Sequence, residues 1–307
     1  MQYRLERNTS NDKIWADILG APIIFDEDFF VTGVKVSVGL ENEFALKTSS
    51  NDNNFYFIRI HKGWFIACAF LIALYLGMVV HLAKSKGLLR DRTINLSAIG
   101  VDNISYKTTY SLARFQMAFW FTLTIISFFF IWLITDAYDI ITTTILTLIG
   151  ISAATSLSAA VIDDNKNTEI LNQTIELKNE RMRLEREITD LNEFVTSNPA
   201  APDLADRKSL IKIKSARVIE ISPLINKNVS ILTPQQSDGF FNDILKDVNG
   251  VSFHRLQMLV WTFVLGLIFL YSVWKRLSMP EFSATLLALQ GITAGTYLGF
   301  KFPEKQT

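Results

Sequence analysis

Long apolar blocks alternate with polar segments along this chain, and each block has the length of a membrane-spanning helix. Crossing about 30 Å of hydrocarbon takes about 20 residues of α-helix. Five blocks meet this requirement, at residues 64–83, 117–135, 140–162, 258–274 and 283–300. We therefore predict a mainly α, polytopic membrane protein with about five transmembrane helices.

Two of the connections between these blocks are short enough to force helical hairpins. Residues 136–139 join the second and third blocks, and residues 275–282 join the fourth and fifth. The second connection contains Pro280, which cannot continue a helix and so resets the chain for the next span. The pattern predicts two antiparallel transmembrane hairpins.

The two hairpins match each other in sequence, which indicates an internal repeat. The segment from Ser111 aligns with the segment from Ser252 at a constant shift of 252 − 111 = 141 positions, without a gap. Because both copies begin on the same side and contain an even number of spans, we predict parallel repeats at 111–163 and 252–307. The identical positions in the first copy are Ser111, Arg114, Gln116, Met117, Trp120, Phe128, Thr144, Leu146, Leu148, Gly150, Ile151, Ala153, Thr155 and Leu157.

Residues 1–62 are predicted to form a small β-rich domain outside the membrane. Three valines alternate with other residues from Val34 to Val38, and Phe55 and Phe57 alternate after a turn-rich run. A unit this short buries too little surface to be stable alone. We expect it to dock on the membrane part, on a copy of itself or on a partner.

The remaining segments are a first span with a basic cytoplasmic loop, at 63–110, and a cytoplasmic insertion, at 164–251. The insertion begins with a heptad helix, in which apolar residues recur seven apart. The heptad is imperfect, so the helix either self-associates as a coiled coil or packs on another part of the same chain. Its seam positions are Ile170, Leu177, Leu184 and Leu191. After a breaker at 198–202, the run 209–221 is compatible with either strand or helix, in an α/β segment.

The distribution of basic residues predicts the orientation of the chain. Lysine and arginine cluster after the first and third apolar blocks, whereas the loop at 136–139 has none. Because basic loops resist translocation, we expect the N-terminus outside and the C-terminus in the cytoplasm. Arg59 and Lys62, just before the first block, oppose this assignment. The formal net charge is zero, which gives no argument for a nucleic-acid partner.

Small and hydroxyl-bearing side chains mark the second helix of each repeat. Small residues spaced by four let helices approach closely in lipid, either between the two repeats or between subunits. They are Gly150, Ala154, Ser158, Gly291, Gly295 and Gly299. Neighbouring hydroxyls either line a polar path or bond to carbonyls of their own helix. They are Thr144, Ser152, Thr155, Ser156, Thr285, Thr293 and Thr296.

Polar and aromatic residues recur where each repeat enters the membrane. A cation there reaches phosphate headgroups, and an indole ring prefers the interface. We therefore predict contacts with membrane lipids as anchors, with a specific lipid or ligand contact as the alternative. The predicted anchors are Arg114, Gln116, Trp120, Arg255, Gln257 and Trp261.

The sequence carries no pattern of catalytic or metal-binding residues. Cys68 is the only cysteine, and the three histidines are scattered. No phosphate-binding loop, paired-histidine metal motif or nucleophile elbow occurs. The stretch 247–250 lacks the end ligands of a calcium loop, and a simple turn accounts for it better. We expect no enzyme activity, no cofactor and no metal site.

The repeated hairpins carry Arg-x-Gln-Met-x-x-Trp, followed by Gly-Ile-Ser-Ala-Ala-Thr or Gly-Ile-Thr-Ala-Gly-Thr. These motifs resemble bacterial inner-membrane proteins of uncharacterised function. The resemblance covers about a third of the chain and implies a bacterial inner membrane, but no activity. From the residues we expect a homo-oligomer with ion-channel or pore activity. The alternative is a non-conducting scaffold or signal-transmitting protein that recruits a soluble partner through its cytoplasmic segment.

Overall fold

The computed structural model describes residues 11–22, 29–35, 54–91, 94–101, 106–247 and 250–302. The fold is mainly helical, as predicted, and includes two small antiparallel sheets. The helices are α1 (Asp12–Leu19), α2 (Lys62–Ser85), α3 (Leu112–Thr135), α4 (Thr143–Ser197), α5 (Leu204–Leu232), α6 (Phe240–Leu245), α7 (Phe253–Arg276) and α8 (Ala284–Lys301). The strands are β1 (Val31–Lys35), β2 (Asn54–Ile58), β3 (Lys246–Asp247) and β4 (Gly250–Val251).

In the part of the chain that the structure describes, four helices are long and apolar enough to cross a membrane, namely α2, α3, α4 and α7. These helices are compatible with the predicted multi-pass membrane protein. Helix α8 has 18 residues and is not among the four. Its mean hydropathy is lowered by Gln290, by Lys301 and by several small residues. The fifth span therefore stays a prediction.

The helices of the two hairpins have matching limits. Helices α3 and α7 begin 253 − 112 = 141 residues apart and end 276 − 135 = 141 residues apart. Helices α4 and α8 also begin 141 residues apart. The residue after α3, Asp136, has φ 54°, and the residue after α7, Leu277, has φ 50°. Since residues other than glycine seldom adopt this left-handed backbone, corresponding helices end in the same unusual way.

The chain folds as two compact units. Unit 1 consists of Met1–Leu88, Arg114–Ala154 and Gln257–Gly295. Its largest apolar cluster combines residues of α3, α4 and α7 with the segment before α8, because each helix brings a stripe of large apolar side chains. The buried members are Trp120, Leu123, Ile131, Ile145, Leu148, Leu265, Phe269, Val273, Met279 and Phe282.

The N-terminal sheet packs on helix α1, and the segment after α1 contacts α7 of unit 1. Strands β1 and β2 pair antiparallel, with Val31 opposite Ile58. Helix α1, which the sequence did not lead us to expect, packs Trp15 against Phe57 of β2. The amide of Ala21 donates to the carbonyl of Trp274 at 2.9 Å, which ties the segment after α1 to α7. The predicted valines at 36 and 38 and the turn at 49–53 lie outside the described residues.

Unit 2 consists of Leu89–Ala113, Thr155–Leu256 and Thr296–Thr307. Its main feature is an antiparallel helical hairpin, the arm, formed by α5 and the part of α4 from residue 165 onward. The undecided run 209–221 is helical within α5, where Val218 and Ile221 lie three positions apart and pack with residues of α4. Strands β3 and β4 form a tight antiparallel pair before α7, which agrees with the turn expected there.

Candidate functional site

The hydroxyls predicted to line a polar path are mostly used inside the fold. Ser152 Oγ donates to the carbonyl of Ile149 at 2.8 Å, and Thr293 Oγ1 donates to the carbonyl of Gln290 at 2.9 Å. Both side chains are buried, and the two positions correspond in the repeat alignment. Each hydroxyl therefore satisfies itself on the preceding turn of its own helix, which is the second of the two predicted roles.

The other predicted hydroxyls are also accounted for by the fold. Thr155 and Ser156 are buried, Thr296 is half-buried, and Thr285 is exposed. Thr144 Oγ1 donates to the carbonyl of Pro280 at 3.2 Å and accepts the amide of Phe282 at 3.3 Å. This hydroxyl fixes the connection between α7 and α8. A polar path along these residues stays a prediction.

The predicted lipid anchors divide into buried and accessible residues. Gln116 and Trp120 are 0% and 1% exposed, so the prediction that they contact headgroups is wrong. Gln116 Nε2 donates to Thr262 Oγ1 of α7 at 3.0 Å, and Trp120 packs against Phe269. These contacts between helices fix both side chains in the core of unit 1.

Among the other predicted anchors, Arg255 is also buried, so headgroup contact is wrong for it too. Its guanidinium lies 5.8 Å from the centre of the Tyr297 ring, in a cation–π arrangement. Arg114, Gln257 and Trp261 are half-buried. Arg114 Nη1 donates to the carbonyl of Leu88 at 3.5 Å, which is a weak contact. For these three residues the anchor role stays a prediction.

The small-residue stripe makes no close helix contact within the chain. A methyl group placed on Gly150, Gly291, Gly295 or Gly299 would meet no atom within 4 Å, apart from the adjacent residues and the helix backbone. The predicted close approach between the two repeats is therefore wrong at these glycines, because no neighbouring helix lies over them. Ala154 is exposed and Ser158 is half-buried. Packing between subunits stays a prediction.

The heptad positions pack on the same chain. Leu177 and Leu184 lie with Ile221 and Ile225 of α5 in one apolar cluster. Ile170 packs with a second cluster that includes Leu232. Ion pairs flank the seam, with Arg217 Nε donating to Glu180 Oε1 at 2.9 Å and Lys214 donating to Glu187. Leu191, near the end of α4, is half-buried.

Buried polar atoms inside unit 1 are features that the sequence did not indicate. Gln290 is 1% exposed, and among the described residues neither its Nε2 nor its Oε1 has a hydrogen-bond partner. The same holds for Gln116 Oε1, Trp120 Nε1 and Ser127 Oγ. Such atoms are costly in an apolar interior. In the sequence, the only sign of these buried polar atoms was Gln290, an isolated glutamine within the apolar block 283–300.

A charged cavity of about 260 Å³ lies within unit 2. Its lining comes from the interior of α4, the last residues of α5, the start of α7, the end of α8 and the segments around α6. Nine lining residues have ionisable side chains, and they include buried Asp243, Arg255 and Lys301. The nine are Asp91, Asp163, Lys166, Asp238, Asp243, Lys246, Asp247, Arg255 and Lys301. Because these residues are far apart in sequence, no local motif predicted that they would lie together.

An ion pair joins α4 to α8 in this cavity. Lys301 Nζ lies 3.0 Å from Asp163 Oδ2, and Lys166 Nζ donates to the carbonyl of Lys301 at 2.6 Å. Burial raises the pKa of the Asp163 carboxyl, and the Lys301 ammonium partly offsets this. Burial disfavours the Lys301 ammonium, yet Tyr297, Asp163 and Asp91 together hold the pKa of Lys301 above its ordinary value.

Other charges of the cavity are also matched by groups of the chain itself. Asp243 Oδ2 accepts the Ser237 hydroxyl at 2.6 Å and the Tyr110 amide at 3.1 Å, and its Oδ1 accepts the Asp238 amide at 2.9 Å. Asp91 Oδ2 accepts the Thr109 hydroxyl at 3.2 Å. No group of three or more potential metal ligands occurs in the part of the chain that the structure describes. The cavity is accordingly a charged core that connects α4, α7 and α8 with the segments around α6.

The chain has no match among protein-family models, curated proteins or solved structures. Its function is therefore inferred from its own residues and their geometry.

Proposed function

We propose that this chain is a non-conducting membrane protein that recruits a soluble partner through the arm. The observation that carries the proposal is the continuity of α4, which has 55 residues without a break. At 1.5 Å per residue the helix is about 80 Å long, so its second half extends far beyond a bilayer. One continuous helix thus contains both a candidate span and the first half of the arm.

The arm offers a surface for such a partner. Its seam is closed on itself by Leu184 and Ile221, and yet Ile213 and Ile219 of α5 are 63% and 72% exposed. Leu210, three positions before Ile213 and 44% exposed, lies on the same side of α5, and grouped exposed apolar side chains are typical of binding surfaces. The pairing of Asp163 with Lys301 supports transmission as well, since it couples the end of α8 to α4 where the arm begins.

The contacts of the hydroxyl residues favour this function over the channel. Ser152 and Thr293, which were candidates for a polar path, are buried and bonded to their own helices. A path along these helices would need hydroxyls turned toward a shared space. We retain the homo-oligomer as part of the proposal, because the stripe at Gly291 and Gly295 is open to a second copy.

The proposal includes the remaining features of the membrane arrangement. We infer five spans, with α8 as the fifth, and parallel repeats related by a pseudo-two-fold axis; the matching limits of α3 and α7 support the repeat. We also infer an outside N-terminus, a cytoplasmic arm and a bacterial inner membrane. The basic residues near the arm support its cytoplasmic side.

The test combines cross-linking in native membranes with a flux assay. A photo-reactive amino acid at Ile219 is expected to cross-link a soluble protein, whereas the same group at Leu74 of α2 is not. Ile213→Ser together with Ile219→Ser should abolish the cross-link from a reporter at nearby Glu220, and Lys212→Ser, the exposed control, should preserve it. Purified protein in liposomes should leave the ion permeability unchanged. Ion flux through these liposomes, with no cross-link from the arm, would contradict the proposal.

A further inference from the structure

The sheet formed by β1 and β2 is apolar on both faces. Cross-strand pairs place Thr32 with Phe57 and Val34 with Phe55 on the first face. The second face carries Val31, Gly33, Tyr56 and Ile58, and it ends at the pair of Lys35 with Asn54. A sheet with one face in water normally alternates apolar and polar side chains. This sheet has no charged side chain on either face between Val31 and Val34 or between Phe55 and Ile58.

Among the described residues, the chain covers the first face at Phe57 and Thr32, whereas Phe55 at its edge is 60% exposed. Phe57 meets Trp15 edge to face at 6.2 Å between ring centres, and Thr32 Oγ1 accepts Arg59 Nη2 at 2.6 Å. On the second face, Tyr56 and Ile58 are each 71% exposed. A two-stranded sheet is at best marginally stable in water, so an uncovered apolar face calls for an apolar environment.

The distance from this face to the first candidate span is short. Three residues separate Ile58 from Lys62, where α2 begins. Fully extended, they reach about 10 Å, which is close to the thickness of one headgroup layer. Helix α2 is only 6% buried in its most apolar window, and Trp64 in its first turn is exposed. The start of α2 therefore faces its environment directly, with the sheet beside it.

We propose that the second face of the β1–β2 sheet lies in the interfacial layer of the lipid bilayer, with Tyr56 and Ile58 inserted among the headgroups and upper acyl chains. Tyrosine and tryptophan prefer this layer because their rings are apolar and their polar atoms remain hydrated. Tyr56, Ile58 and Trp64 supply that chemistry within eight positions of each other and next to a candidate span. The sheet thus fixes the depth at which α2 enters the membrane.

A second copy of the chain fits this face less well than lipid. Five residues per strand give a face about 17 Å long and about 10 Å wide, or about 170 Å², from the standard spacings of strands. A stable interface buries about 800 Å² on each partner. Lipid needs no such minimum, because each inserted side chain contributes independently.

Spin labelling of the full chain in lipid nanodiscs tests this placement. In a Cys68→Ala background, a nitroxide is attached at Tyr56→Cys or, as a second variant, at Ile58→Cys. Leu74→Cys, on the exposed middle of α2, is the lipid control, and Asp17→Cys, on the exposed side of α1, is the water control. Collision rates are measured with oxygen, which concentrates in lipid, and with a water-soluble nickel chelate. Because all four side chains are exposed, labelling is expected to preserve the fold, and circular dichroism checks this.

Labels at Tyr56 and Ile58 are expected to have an oxygen-to-nickel ratio several-fold above that at Asp17 and below that at Leu74. A ratio equal to that at Asp17 for both variants would place the face in water and overturn the proposal. Low collision rates with both reagents would show a protein cover and would overturn it in favour of a second copy. A lipid-like ratio at Leu74 verifies separately that α2 spans the bilayer.

Discussion

Single residues decide where the N-terminal segment docks and how the helix ends are joined in unit 2. Gly20 follows α1 at a point of close backbone contact, where a methyl group would lie 2.5 Å from the carbonyl oxygen of Lys275. The nearest atoms are the backbone oxygens of Ala16 and Lys275, which cannot move aside as a flexible side chain could. By contrast, the glycines of the small-residue stripe have open space around them.

Replacing Gly20 by alanine is therefore expected to weaken the docking of α1 on α7. The cost is about 1–3 kcal/mol, the usual range for overpacking, measured as a lower thermal midpoint in detergent. The matched control is Gly291→Ala, which meets no atom and should keep or slightly raise the midpoint. Equal losses in both variants would contradict the difference in packing. A loss of oligomers in Gly291→Ala alone would identify the stripe as a contact between copies.

The pair of Asp163 and Lys301 is the second prediction at this scale. Asp163→Asn leaves the nine-tenths-buried Lys301 ammonium without its carboxylate, so unfolding should become easier by about 1–3 kcal/mol. Lys301→Met in the same chain should recover part of the loss, because it removes the uncompensated charge. A double-mutant cycle of thermal midpoints measures the coupling. Additive losses would show that the two groups do not interact.

At the scale of elements, the arm of α4 and α5 depends on an apolar seam and on ion pairs beside it. Leu184→Ala removes a buried side chain from the seam and should destabilise the arm by about 2–4 kcal/mol. Met182, two positions away and exposed, provides the control substitution Met182→Ala. Urea unfolding followed by circular dichroism gives both values. Because the seam lies within one chain, the loss should not depend on protein concentration. A concentration-dependent loss would indicate self-association instead.

The ion pairs of the arm predict how its stability responds to acid. Hydrogen bonds from Arg217 and from Lys214 lower the pKa of Glu180 and of Glu187, respectively. Their contribution is therefore complete above the ordinary glutamate pKa of 4.5 and is lost as the pH falls through the lowered values. The urea midpoint of the arm should drop on acidification below about pH 4.5. Glu180→Gln with Glu187→Gln should flatten this part of the profile, and an unchanged profile would exclude the two pairs as its cause.

Helix positions were predictable from the sequence because apolar blocks and breakers are local signals. Residues 117–135 predicted α3 except for its first turn, and the heptad identified Ile170, Leu177 and Leu184 as packing positions. The partners of those residues depend on the tertiary fold. For the same reason, Gln116 and Trp120 looked like interfacial residues, although facing helices bury them. The pairing of Asp163 with Lys301 spans 138 positions, from 163 to 301, and no periodicity predicts it.

At the scale of the whole molecule, orientation is the prediction with the widest consequences. Cysteines placed at exposed Asp17 and exposed Lys212 report on opposite sides if the N-terminus is outside and the arm is cytoplasmic. In intact cells, a membrane-impermeant maleimide should label Asp17→Cys at once and Lys212→Cys only after the membrane is opened. Cys68 is buried and gives little background. Labelling of Lys212→Cys alone in intact cells would reverse the assignment. Labelling of both sites would contradict the cytoplasmic location of the arm.

The modest hydropathy of α8 has a consequence for how the protein is made. In the five-span arrangement, α8 is about 27 Å long and contains Gln290 at its middle, so it partitions weakly from the translocation machinery into lipid. Its Leu286 and Leu287 pack against the core built by α3, α4 and α7. Entry of α8 is then driven by a surface that the earlier helices must already have assembled. Substitutions that loosen this core are therefore expected to leave α8 outside the bilayer, which would be a defect of membrane insertion.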